Sequence, residues 1–264
     1  MTKNMEKRTS AKRGLAPALT RGLGILDVVA RAGRPVNMTD IADELGIAKS
    51  SAHGLLAELV NAGFLERRPD NTYRLGLRLV ELANARNQSS ELPAEFYAIW
   101  DHRIAHSQEA AILAVPDGPD VIYIACRNSP LALGITFNAG MRLPACCTAT
   151  GKALLSLMSD QEIRAFYEKH ELVRLTQNGV ADVDALLRQM ASIRDRGYSI
   201  DDGETRDHMW SVGAPVRVQN GLQPHAAVAI SHLRSEMTPE KSAHAGELVK
   251  MFAQALSEAC STVR

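Results

Sequence analysis

The side chains best suited to chemistry fall in two regions of the 264-residue chain. Near the start stand Lys49, Ser50, Ser51 and His53, followed by Arg67, Arg68 and Arg74. Lysine and serine reach phosphate oxygens or base edges, and arginines beside them extend a cationic track along a nucleic-acid backbone. The same three arginines also fit an ordinary charged hairpin. In the second half, Cys146, Cys147, Thr148 and Thr150 lie together, and Asp201, Asp202 and Glu204 precede Ser211 and Ser231. Hydroxyls and backbone N–H groups at a helix start can hold a carboxylate. The residues alone leave blander readings open: the threonines as helix caps, the acids as a solvated turn, the cysteines as small buried hydrophobes instead of a nucleophile or redox sensor. His208 and Trp210 fit a pocket wall or a core equally well. No CxxC, HxxxH or paired histidine–carboxylate spacing is present, so the sequence predicts no catalytic residue, no metal site and no cofactor.

The first group is positioned by a run of short elements. Asn37 stands where it caps a helix, with Asp40 at the third helical position and Ile41, Ala42 and Leu45 facing inward. Gly46 ends that helix, and a second one, starting at 48–50, carries Ala52, Leu55, Leu56, Leu59 and Val60 on one stripe. Past Gly63, residues 64–68 and 72–75 read as strands around Pro69-Asp70-Asn71. A helix-turn-helix followed by a basic hairpin is a winged helix-turn-helix, a unit that binds double-stranded DNA, expected here over 15–76. Before it, Leu19, Leu23, Leu26 and Ala30 mark another helix ending near Gly33-Arg34-Pro35, expected to pack behind the helix-turn-helix and complete a three-helix core, with Arg21 as a candidate phosphate contact. Residues 1–14 read as a flexible basic tail, and 77–90 as a linker helix able to pair with its copy in a second subunit.

Residues 91–264 alternate in type. Strands are expected at 110–115, 121–126, 131–137, 198–200, 211–218 and 225–231, with Gln219-Asn220-Gly221 as a hairpin turn. Helices are expected at 91–107, 151–158, 160–170, 182–196 and 239–259. That order predicts an α+β class, a mainly antiparallel sheet with helices packed on it. With 45% hydrophobic residues the chain is not a disordered one. It lacks an apolar run long enough to span a membrane and an N-terminal apolar segment of the secretory kind, and its 4 cysteines do not look like a disulfide framework. A reduced, cytoplasmic protein is expected. Net charge is zero, yet residues 1–83 hold 13 Lys and Arg against 9 acids, and the remainder 17 against 21. A basic head on an acidic body suits a DNA-binding module joined to another function.

The run Gly197-Tyr198-Ser199-Ile200-Asp201-Asp202-Gly203-Glu204, followed by Ser211-Val212-Gly213 and Val216, resembles the signature of IclR-type transcriptional regulators, departing from it at Arg217 and Val218. Gly140-x-Arg142-Leu143-Pro144 and Gly151-Lys152-Ala153-Leu154 are similar to further motifs of that family, and the likeness runs from about residue 19 to 256. It implies a GAF-like effector-binding domain over 91–264. By the matching motifs it implies effector contacts at Leu143, Ala149, Thr150, Asp201, Ser211, Ala229 and Ser231, with Ala132 and Ile135 as an apolar wall. It further implies a homodimer or homotetramer that binds a palindromic operator and senses a small organic acid, aliphatic or aromatic. The family commonly carries an arginine where this chain has Gly54, so His53 or the wing arginines are expected to take over part of its contacts. A DNA-binding oligomer whose second domain only assembles subunits is the alternative.

Overall fold

The computed structural model describes residues 16–88, 91–104, 108–131, 134–217 and 225–261, and the chain divides into two units between residues 89 and 90. The basic tail, Ala132 and the Gln219-Asn220-Gly221 turn lie outside the described residues.

The first unit runs α1 (Pro17–Ala32), β1 (Val36–Asn37), α2 (Met38–Leu45), α3 (Lys49–Asn61), β2 (Leu65–Arg67), β3 (Thr72–Leu75) and α4 (Arg78–Gln88). Asn37 caps α2, its Oδ1 accepting from the Asp40 N–H at 2.9 Å and satisfying one of the donors that a helix start leaves free. Gly46 stops α2 in the left-handed region, at φ 62°, a conformation that favours glycine. The shared core is Ile25, Val28, Val29, Val36, Ile41, Leu56, Leu65 and Tyr73. It joins α1, α2 and α3 as expected, though not through all of the apolar residues that mark α1 in the sequence. Leu19 and Leu23 are 63% and 54% exposed, because Ile25, Val28 and Val29 form the buried stripe, about a third of a turn away around the helix. The wing is also one strand larger than expected, since β1 joins β3 to give the order β1-β3-β2.

The second unit runs α5 (Leu92–Arg103), β4 (Ala110–Asp117), β5 (Asp120–Arg127), β6 (Arg142–Pro144), α6 (Ala149–Leu155), α7 (Asp160–Tyr167), α8 (Val183–Arg196), β7 (Ser199–Asp202), β8 (Met209–Val216), β9 (Ala226–Leu233) and α9 (Pro239–Ser261). Its strands form one antiparallel sheet in the order β6-β5-β4-β9-β8-β7. Side-chain alternation along each strand gives the sheet two buried faces. Ile112, Ala114, Tyr123 and Ala229 meet α6, α7 and α8 on one face. Leu113, Val212, Val228 and Ile230 meet Phe96 and Trp100 of α5 and Phe252 and Leu256 of α9 on the other. This is the expected α+β sandwich.

Among the described residues, the strand expected at 131–137 does not form. Residues 134–138 have no regular structure, because the Asn128 side chain satisfies Phe137 in place of a ladder partner. Its amide donates to the Phe137 carbonyl at 3.1 Å, and its oxygen accepts from the Phe137 N–H at 2.7 Å. β6 takes the sheet edge instead, with Arg142 bridging Asp117 and Asp120 of the neighbouring hairpin.

Two glycines let α6 press on its surroundings. A Cβ on Gly213 would stand 2.7 Å from the Ala149 backbone, and one on Gly151 would stand 2.3 Å from the Ala145 backbone. Gly54, in the middle of α3, has nothing within 4 Å of such a Cβ. Gly151→Ala is therefore expected to destabilise by about 1–3 kcal/mol through overpacking. Gly54→Ala is expected to stabilise by about 0.5–1 kcal/mol through helix propensity. Urea unfolding followed by circular dichroism separates the two signs; a Gly151→Ala chain as stable as the parent contradicts the close approach.

Candidate nucleic-acid interface and ligand site

Ala48 precedes α3 without a side-chain cap, so the first N–H groups of that helix stay open to an acceptor such as a phosphate. Lys49, Ser50, Ser51 and His53 are all exposed beside them, and the surface at Gly54 is bare. In the wing, Arg74 pairs with Glu66 at 2.6 Å and Arg67 donates to Asn71 at 2.6 Å. Arg21, Lys49 and Arg68 are exposed and make no ion pair among the described residues. Exposed ion pairs contribute roughly 0–1 kcal/mol, so a phosphate can displace Glu66 from Arg74 with little loss. The DNA-facing residues expected from the sequence thus divide into open cations and cations held by weak local contacts.

In the second unit, Lys152 is fully buried on α6. Its Nζ donates to Gln189 Oε1 of α8 at 3.0 Å, to Glu204 Oε1 at 2.5 Å and to the Ile200 carbonyl. Burial raises the Glu204 carboxyl above the usual carboxylate range, opposed by the Lys152 charge and its hydrogen bond. Asp201 is 1% exposed, and its Oδ1 accepts from the Glu204 and Thr205 N–H groups at 2.6 and 3.1 Å. The Thr205 hydroxyl donates to the Cys147 carbonyl at 3.0 Å. Of the three acids in this turn only Asp202 is exposed, and it pairs with Arg234 at 2.6 Å. The solvated acidic turn left open by the sequence is therefore excluded, and one Asp201 oxygen is committed to the turn itself.

Asp201, Ser211 and Ser231 occupy facing positions on β7, β8 and β9, and the two serine hydroxyls are 2.8 Å apart. Thr148 caps α6 by accepting from the Gly151 N–H at 3.0 Å, and the Thr150 hydroxyl donates to Thr148 at 3.4 Å. Ile135, Leu143, Ala149 and Ala229 are buried in one apolar cluster on the α6 face. Trp210 points to the opposite face, its ring 5.8 Å from that of His232, and His208 is exposed. Trp210 is thus a core residue behind the Ser211 row. Cys146 and Cys147 are both buried and donate to the Val173 carbonyl at 3.3 and 3.2 Å. Their mutual contact, with burial, pushes the Cys147 thiol up, and the same contact pushes the Cys146 thiol down.

Sequence reasoning missed Lys152, Tyr123, Phe137 and Arg206. Tyr123 is buried with its ring 5.6 Å from that of Phe137, and the Arg206 guanidinium lies 5.7 Å from the centre of the Phe137 ring. Burial holds the Tyr123 phenol well above its usual range, so it stays neutral. A lysine inside the apolar run Gly151-Lys152-Ala153-Leu154 was the one available signal for the ion pair. No group of three or more metal-ligating side chains gathers among the described residues, and none of their helices is long and apolar enough to cross a membrane.

A winged helix-turn-helix unit followed by an α+β domain with a buried polar row is the build of a ligand-responsive transcriptional regulator. The profile described as "Bacterial transcriptional regulator IclR C-terminal" matches residues 92–258, and the "IclR helix-turn-helix domain" matches residues 18–69. The chain belongs to the IclR family. It is 28% identical over 243 residues to the HTH-type transcriptional regulator XynR of Escherichia coli, covering 92% of this chain and 96% of that one. Among solved structures it is similar to the Agobacterium tumefaciens repressor BlcR, with 38% identity, 95% and 99% coverage and a TM-score of 0.60. An IclR homolog from Microbacterium hydrocarbonoxydans, complexed with 4-hydroxybenzoate, shares the fold at 22% identity, 92% and 98% coverage and a TM-score of 0.76. These relatives are regulators, and the chain is a DNA-binding transcriptional regulator with a C-terminal effector domain, not an enzyme.

Removing one partner of a buried ion pair leaves the other charged and unpaired, at about 3–5 kcal/mol. Lys152→Met is expected to destabilise the chain on that scale, and combining it with Glu204→Leu is expected to restore most of the loss. Chemical denaturation of the two variants checks this, and a Lys152→Met chain of parental stability contradicts the assigned pair.

Proposed function

We propose that this regulator binds a palindromic operator as a homodimer or dimer of dimers in the cytoplasm, and that a small organic acid sensed on the α6 face changes that binding. The observation that carries the ligand reading is the row Asp201, Ser211 and Ser231, buried on adjacent strands. The same face carries the small side chains Ala110, Ala114, Ala227 and Ala229. A few convergent polar groups in an apolar setting suit a small molecule with one polar end and an apolar body. That a relative of the same fold was crystallised with 4-hydroxybenzoate supports the ligand class.

The DNA reading rests on the exposed start of α3 and on the wing. Leu19, Leu23, Leu77, Val80 and Leu82 are exposed in the same unit and provide apolar surface for a second copy. Two copies match two half-sites about 34 Å apart, one helical turn of DNA. The four free cysteines fit a reducing compartment.

In gel shifts over a salt series, a duplex selected by the protein from a random pool is expected to bind tighter than an arbitrary one. Lys49→Ala with Ser51→Ala is expected to weaken the selected duplex by about tenfold or more, the loss of a few phosphate and base contacts. Equal affinity for every sequence, unchanged in the variant, contradicts operator reading. A thermal screen of small acids tests the sensing part. An acid at a hundred times its dissociation constant adds roughly 2.7 kcal/mol, whereas no stabilisation by any acid favours a domain that only assembles subunits.

A further inference from the structure

Arg206 stands in the turn between β7 and β8, on a backbone held from several directions. Gly203 N–H donates to the Met209 carbonyl and Met209 N–H to the Arg206 carbonyl, each at 2.9 Å. Asp201 Oδ1 accepts from Glu204 and Thr205 just before it. Its side chain has no such fixture. Arg127, Arg142, Arg164, Arg194 and Arg234 of the same unit each pair with a carboxylate. The half-buried guanidinium of Arg206 has no hydrogen bond or ion pair among the described residues, and rests over the Phe137 ring at 5.7 Å. Five N–H donors lacking an acceptor in a partly dry site favour an anion.

The surroundings fit an organic anion. Phe137 and Tyr123 meet edge to face, giving an apolar wall beneath the cation. Arg206 lies close enough to Tyr123 to act on it electrostatically. Lys152 offers no competing charge, because Glu204 neutralises it. Asp201 is the nearby carboxylate that opposes an anion, and burial works against its charged form.

We infer that Arg206 seats the carboxylate of the acid proposed above, so that the site takes monocarboxylates and rejects their neutral amides; the inference rests on the reading of the α6 face as the effector site. One open cation suits one carboxylate, and the Phe137–Tyr123 wall takes a ring or a short alkyl chain.

Calorimetric titration of the full chain with 4-hydroxybenzoate, 4-hydroxybenzamide, butyrate and butyramide tests it. At least one acid is expected to bind the parent chain about tenfold or more tighter than its amide, the scale of one charge-assisted contact. Arg206→Met is expected to lose that preference and leave amide binding and the unfolding midpoint unchanged, and Arg206→Lys to keep part of it. An Arg206→Met chain that binds the acid as tightly as the parent, or a parent chain that binds acid and amide alike, overturns the role of Arg206 while leaving sensing intact. A parent chain that binds none of the four overturns the sensing reading along with it.

Discussion

The buried pair of Lys152 and Glu204 is the constraint around which the α6 face of the second unit is arranged. Neither charge is stable in a dry interior without the other and without hydrogen bonds for the rest of its polar atoms. Lys152 belongs to α6, its acceptor Gln189 to α8, and Glu204 to the β7–β8 turn, so satisfying one ammonium fixes three elements. The remaining contacts close round the same point. Ser199 donates to the Ala149 carbonyl at 2.6 Å, Thr205 to the Cys147 carbonyl, and Gly213 gives α6 room to lie against β8. The polar row of Asp201, Ser211 and Ser231 and the cation of Arg206 are therefore presented by a backbone that is already held.

The two units treat charge in opposite ways, as their tasks require. At the DNA end the cations are exposed, singly held or open, and screened by salt, which suits exchange between water, local acids and phosphates. On the α6 face of the second unit the Lys152–Glu204 pair is buried, so each uncommitted donor there weighs more, because little water competes for it.

Much of this was legible in the sequence because it depends on local rules. The Asn37 cap, the Gly46 stop, the stripe of α3 and the alternation of β4, β5, β8 and β9 follow from side-chain and backbone chemistry within a few residues. The buried face of α1 was not legible, because leucines at 19, 23 and 26 form a helical stripe as regular as that of Ile25, Val28 and Val29, and only the position of α2 and α3 decides between them. The strand expected at 131–137 failed for a similar reason: one side chain, Asn128, supplies the hydrogen bonds that a neighbouring strand would have given. Trp210 could have been placed behind the Ser211 row from strand alternation alone. The Lys152–Glu204 pair and the Arg206–Phe137 contact join residues 52 and 69 positions apart, and no periodicity carries that information.

The account stands on coupling between acid and DNA, and coupling is reciprocal by thermodynamic necessity. The direct measurement is the affinity of the full chain for its selected duplex with and without a saturating acid, together with the affinity for that acid with and without the duplex. The account predicts that each ligand changes the other's affinity by the same factor, about fivefold or more. Two affinities that ignore each other, with both ligands bound, would contradict it.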